Sequence, residues 1–89
     1  MEIEKIVKEA IKENKAIYGY RKAYKYLKNY EPKLVIIAKN MREDLKNDII
    51  SAVRNKNLIK EFNGTSIELG ILCGKPFPIS VIVIKNDRV

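Results

Sequence analysis

An α/β fold is the architecture this chain predicts: a single-domain three-layer α/β/α sandwich around a central four-stranded mixed sheet. Two observations carry that expectation. Segments with helical hydrophobic spacing alternate with short β-branched runs along the whole length, and such alternation builds a sheet with helices on both faces. The chain has 89 residues, enough for one core and not for two, so residues 1–89 are read as one domain.

The first segment places Ile3, Ile6, Val7, Ala10 and Ile11 on one helical face, with Lys5, Lys8, Glu9 and Lys12 opposite. Asn14-Lys15 ends it. Residues 16–18 are a short strand stopping at Gly19. Residues 20 to about 29 form a second helix with Tyr20, Ala23, Tyr24 and Leu27 facing inward, and Pro32 breaks the chain. Residues 34–38, Leu-Val-Ile-Ile-Ala, have the continuous apolar pattern of a strand covered on both faces. Asn40 closes that strand, and a cap between Asn40 and Glu43 starts a third helix with Leu45, Ile49, Ala52 and Val53 at core spacing. Asn55-Lys56-Asn57 ends it, and residues 58–62 form the third strand.

Gly64-Thr65 followed by Glu68 is a capping-box pattern, opening a helix from Ser66 to about Cys73. Gly74 and Pro76 are its stop signals. Phe77 then stands between Pro76 and Pro78, on a stiff loop. Residues 79–84 form the last strand, and residues 85–88 a polar tail.

Composition narrows the function. Eighteen Lys and Arg against 11 Asp and Glu give a formal charge of +7 and a pI near 9.6. The excess is local. Lys15, Arg21, Lys22, Lys25 and Lys28 follow one another with no acid before Glu31, whereas the third helix mixes both signs. A localised basic face suits a polyanion partner such as RNA, and the competing reading is an ordinary solvated helix face. The chain lacks histidine and has one cysteine, Cys73, so an internal disulfide, a zinc site of the usual kind and a His-dependent triad are excluded. Cys73 reads as a small buried hydrophobe. No cofactor is expected. The N-terminal segment is charged and amphipathic, with no apolar core of a signal sequence, and the longest apolar runs are too short to span a membrane. The chain is expected in the cytoplasm, without a membrane partner.

Gly70-Ile-Leu-Cys-Gly-Lys75-Pro76 is a failed phosphate loop. One residue is missing between the glycines, Pro76 stands where a hydroxyl must bind Mg²⁺, and a helix precedes it. Gly70 is expected to allow close helix–sheet packing instead. Gly19-Tyr20-Arg21-Lys22 lies at a strand-to-helix junction, where free backbone N–H groups and two cations make an anion site or an ordinary turn. Asn40 sits at a second such junction, as a ligand group or as a helix cap. The Gly64-Thr65 loop is a third. In open α/β sheets these equivalent ends form the ligand-binding rim. Phe77 is either an apolar plug or a stacking ring. Tyr18, Tyr20, Tyr24, Tyr26 and Tyr30 are read as packing groups.

The segment Gly64-Thr-Ser-Ile-Glu-Leu-Gly-Ile-Leu-Cys-Gly-Lys75-Pro76, with Lys15-Ala-Ile-Tyr-Gly-Tyr-Arg-Lys22 and Lys33-Leu-Val-Ile-Ile-Ala-Lys-Asn40, closely resembles the L-thirty-e family of archaeal and eukaryotic large-subunit ribosomal proteins. That family lies within the L-seven-Ae superfamily of kink-turn RNA binders, and the likeness covers essentially the whole chain. It implies a non-enzymatic structural component of the large subunit, with kink-turn rRNA and neighbouring ribosomal proteins as partners. It also implies a monomer when free and no small-molecule substrate. By position it implies that Gly19 and Lys22 approach the RNA backbone and sheared G·A pairs, and that Asn40 reads a guanine edge. Ser66 is then a loop contact, and Phe77 and Ile79 cover bases near the kink. The superfamily's Asn-Glu pair is replaced here by Tyr20-Arg21, and Leu45 stands where some relatives carry a cation, leaving Arg42 or Lys46 as substitutes. The alternative on the same fold is a non-ribosomal kink-turn binder of an RNA-processing or modification particle. A small-molecule or enzymatic α/β domain is a third reading, disfavoured by the missing histidine and carboxylate cluster.

Overall fold

The structure, a computed structural model, describes residues 2–86; the part of the expected polar tail at Asp87 and Arg88 lies outside them. The order is α1 (Glu2–Lys12), β1 (Ala16–Tyr18), α2 (Tyr20–Asn29), β2 (Leu34–Ala38), α3 (Glu43–Ala52), a 3-10 turn (Lys56–Leu58), β3 (Ile59–Phe62), α4 (Ser66–Leu72) and β4 (Val81–Ile84). The α/β alternation of the sequence is the observed one.

The four strands form one sheet in the order β1-β4-β2-β3. β4 runs antiparallel to both neighbours, with Val81 opposite Ile37 and Ile82 opposite both Ile36 and Tyr18, while β2 and β3 are parallel. The sheet is therefore mixed. Strands β1, β2 and β3 all point the same way, so their C-terminal ends and the start of β4 share one edge.

Side chains alternate along the two central strands and feed two cores. Val35, Ile37, Val81 and Val83 pack under Ala23, Tyr26 and Leu27 of α2 and Ile49 and Val53 of α3. Ile36, Ala38, Ile82 and Ile84 face the other way, against Val7 and Ala10 of α1 and Leu69 and Cys73 of α4. Ile36 and Ile82 are fully buried, and each such aliphatic chain contributes about 1.5–3 kcal/mol. This two-sided burial explains why residues 34–38 read as one unbroken apolar run.

Local chemistry sets the helix ends. α1 stops because Asn14 takes the left-handed conformation (φ 61°), with the Lys15 N–H donating to the Ala10 carbonyl and the Asn14 N–H to that of Ile11. α4 ends the same way at Gly74 (φ 72°). Its start is the expected capping box: the Glu68 N–H donates to Thr65 Oγ1 and the Thr65 N–H to Glu68 Oε1. Lys56 Nζ closes α3 by donating to the carbonyls of Ile50 and Val53.

Four details differ from the sequence expectation. α3 begins after Arg42, and Asn40 does not cap it. Leu58 belongs to the 3-10 turn, where the Asn55 side chain accepts the Asn57 N–H. β4 starts at Val81, because Pro78 has no N–H to give a ladder and the Ile79 N–H goes to the Ser66 carbonyl. Tyr26, not assigned to the inward face of α2, is buried there, and its hydroxyl accepts the Asn86 N–H. Among the described residues, no helix is long and apolar enough to cross a membrane. Nor does any group of three or more His, Cys, Asp and Glu side chains converge on a metal-sized site among them.

Candidate nucleic-acid interface

The shared edge is stitched into a continuous rim. In spatial order it carries Gly19 after β1, Ser80 before β4, Asn40 after β2 and the Gly64-Thr65 loop after β3. The Gly19 N–H donates to the Val81 carbonyl (3.1 Å), the Ala38 N–H to Ser80 (2.8 Å) and the Lys39 N–H to Gly64 (2.9 Å). These bonds fix the loops against each other, so side chains on them hold set positions.

Gly19 caps α2 at φ 89° and ψ 158°, a backbone state that favours glycine, and no side chain caps that helix. The first turn of α2 contains no acid. Arg21 and Lys22 are exposed there, and neither has an ion-pair partner among the described residues. Free N–H groups, a helix dipole and two cations therefore face solvent together. Tyr20 turns the other way: its hydroxyl donates to Asp48 of α3 at 2.9 Å, locking the two helices side by side. That hydrogen bond is the main cause that raises the Tyr20 phenol above its ordinary value, with burial and nearby charges adding to it.

Asn40 holds the end of a helix remote in sequence. Its Oδ1 accepts the N–H of Ser66, the first residue of α4, at 2.8 Å. An N–H can be accepted only by the amide oxygen, so the Asn40 NH₂ is the end left facing solvent. Two donors on a fixed amide match the acceptor edge of guanine, O6 and N7, or a phosphate oxygen. Ser66 spends its N–H on Asn40 and its carbonyl on Ile79, leaving its hydroxyl for other contacts.

Phe77 is 52% exposed, so the apolar plug is not its role. Its loop is set by Gly70. A Cβ on Gly70 would stand 2.2 Å from the Phe77 carbonyl oxygen and 3.2 Å from its carbon. Gly70 thus admits the loop backbone beside α4, a correction to the expected helix–sheet contact. Ile79 is also corrected. Its side chain is 2% exposed and belongs to the core under α1 and α4, so it covers no base.

Arg42 and Lys46 lie at the start of α3, each near a carboxylate. Arg42 Nη2 is 2.9 Å from Asp44 Oδ2, and Lys46 Nζ is 3.6 Å from Glu61 Oε2. Their charges are partly spent, which sets them apart from Arg21 and Lys22. Two rim cations escaped the sequence reading. Lys39 is exposed beside Asn40, and Lys75 holds its Nζ 4.9 Å from the centre of the Tyr18 ring. Lys39 was legible from its place at the strand end; the Lys75–Tyr18 contact joins residues far apart in sequence and left no local mark. Burial raises the Cys73 thiol, and Lys75 opposes that effect.

Residues 1–88 match the ribosomal protein L7Ae/L30e/S12e/Gadd45 family. The chain is 42% identical over 77 residues to the large ribosomal subunit protein eL30 of Sulfurisphaera tokodaii, covering 85% of this chain and 73% of that protein. To the eL30 of Methanocaldococcus jannaschii it is 33% identical over 88 residues, covering 98% and 80%. Among solved structures, the Giardia lamblia 15.5kD RNA binding protein superposes with a TM-score of 0.75 at 26% identity, over 98% of this chain and 74% of the other. A protein of unknown function from Bacillus halodurans gives 0.77 at 20% identity, over 92% and 82%, a likeness of fold alone.

Proposed function

The chain belongs to the ribosomal protein L7Ae/L30e/S12e/Gadd45 family, and from that premise we propose that it is a large-subunit ribosomal protein whose rim grips a kink-turn in rRNA. Its role is structural and non-enzymatic. It works in the ribosome of the cytoplasm, with rRNA and neighbouring ribosomal proteins as partners, and residues 1–89 act as one binding domain. The observation that carries the reading is the fixed Asn40 amide, exposed on the same rim as the uncapped, cation-bearing start of α2.

The mechanism is recognition by shape. A sharply bent RNA brings phosphates of its two strands together, and the resulting charge density needs cations and N–H donors at one point. Gly19 lets the RNA backbone approach the free N–H groups of α2, while Arg21 and Lys22 neutralise phosphates. Asn40 donates to a guanine edge exposed at the sheared pairs. Phe77 stacks on a base released from the helix, and the Ser66 hydroxyl adds a polar contact. Arg42 and Lys46 supply weaker, partly screened attraction.

A tagged chain expressed in cells of its source should sediment with large ribosomal subunits. Its absence from them, with kink-turn binding intact, favours the second reading: a component of another RNA particle. The fold shared with the Giardia RNA binding protein gives that reading its support.

A further inference from the structure

The end of the molecule opposite the rim carries features that kink-turn recognition does not use. α2 and α3 both run from the rim to this end, and between their last turns lies a groove of about 500 Å³. Tyr24, Lys28, Tyr30, Glu31, Asp48 and Arg54 border it. Tyr30 is the most exposed of the tyrosines, at 51%. Its ring is braced from behind by Tyr26, with centroids 5.1 Å apart and planes inclined by 36°. Tyr26 is itself fixed, being buried and bonded to the Asn86 N–H. Tyr30 thus presents a free face on a supported ring.

Two cations line the same groove as Tyr30. Lys28 is held with its Nζ 5.4 Å from the centre of the Tyr24 ring, and Arg54 projects from the end of α3 without an ion-pair partner among the described residues. Of the two acids in the groove, Asp48 already accepts the Tyr20 hydroxyl. Glu31 is left as the opposing charge.

An exposed, braced aromatic ring in a groove lined by cations is the pattern by which proteins hold single-stranded nucleic acid, where stacking accepts any base and cations take the phosphates. We propose that this end is a second RNA-binding site, taking a single-stranded nucleotide with its base on Tyr30 and its flanking phosphates near Lys28 and Arg54. The inference rests on the reading of the protein as an RNA binder and is independent of kink-turn recognition. The protein then joins two RNA segments, one at each end of its sheet.

The test is a fluorescence anisotropy titration of the full chain with a labelled unstructured RNA oligonucleotide, alone and with saturating unlabelled kink-turn RNA. The site predicts similar affinity in both conditions and about tenfold weaker binding by Tyr30→Ala. Tyr30→Phe keeps the ring and should bind like the parent, while Glu31→Gln should bind more tightly. Asn40→Ala, which alters only the rim, should leave this affinity unchanged. Displacement of the oligonucleotide by kink-turn RNA, parental binding by Tyr30→Ala, or tighter binding of a polyglutamate peptide than of RNA would each overturn the site. Failure of the kink-turn reading shows separately, as equal affinity for kinked and straight duplexes.

Discussion

Asn40 and Ser66 stand 26 positions apart in the chain, yet the amide oxygen of one accepts the backbone N–H of the other at 2.8 Å. One side chain therefore joins the end of β2 to the start of α4, and its orientation is fixed by the half that faces inward. One end of the amide is thus engaged in the fold, and the other is left for the recognition proposed above.

That division can be separated by substitution. Asn40→Ala removes both ends and should cost about 1 kcal/mol of fold stability through the lost helix cap. It should also weaken kink-turn binding by roughly 1–3 kcal/mol. Asn40→Asp keeps an acceptor for Ser66 and loses the donors, so stability should stay near the parent while affinity falls. Urea unfolding beside an RNA titration checks both; an Asp variant that binds like the parent would remove Asn40 from the interface.

Gly70 and Phe77 form a coupled pair. Gly70→Ala drives a methyl into the Phe77 carbonyl and should destabilise the fold by about 1–3 kcal/mol, and it should weaken RNA binding by moving the loop. Phe77→Ala removes a half-exposed ring and should leave thermal stability nearly unchanged while costing roughly 1–3 kcal/mol of affinity. Gly74→Ala strains the φ of 72° by roughly 1–2 kcal/mol without touching the loop, and serves as the control with intact affinity.

In the proposed mode of binding, Arg21 and Lys22 contribute charge without reading sequence. Arg21→Ala and Lys22→Ala should each lower the slope of log affinity against log salt by about 0.7–0.9. The ratio of affinities for cognate and altered RNAs should stay constant. Arg42→Ala should change the slope less, because Asp44 already takes part of its charge.

Tyr20 gives the fold a dependence on alkaline pH. Its phenol is raised above 10.0, chiefly by the bond to Asp48, so folding favours the protonated form. That contribution is complete below the unfolded value and disappears as pH rises through the higher folded one. Tyr20→Phe should lose the bond at neutral pH and show a shallower alkaline loss of stability than the parent. Melting temperatures measured across that range test the difference.

Much of the fold was legible because its signals are local. Helical spacing around Val7 and Ala10, the unbroken run at residues 34–38 and the Thr65–Glu68 cap are read within a few residues, and all lie where expected. What escaped depends on contacts across the chain. The Asn40 amide seemed free to cap α3, since nothing near it announces Ser66. Ile79 read as part of a strand beside an RNA-facing loop, but its N–H turns to the Ser66 carbonyl and its side chain enters the core. Gly70 showed that something approaches closely, and only the folded chain reveals that it is the backbone of Phe77. Tyr26 read correctly as a packing group, but its place on the inward face of α2 was missed, as was the partner of its hydroxyl, Asn86, 60 positions away.

The rim is proposed to recognise a bent RNA held by sheared G·A pairs. The most direct measurement compares the dissociation constant for a kink-turn with that for the same RNA after its G·A pairs are replaced by Watson–Crick pairs. Binding to the kinked form should be at least tenfold tighter, with most of that preference lost in Asn40→Ala. Equal affinity for the two RNAs, unchanged by the substitution, would contradict it.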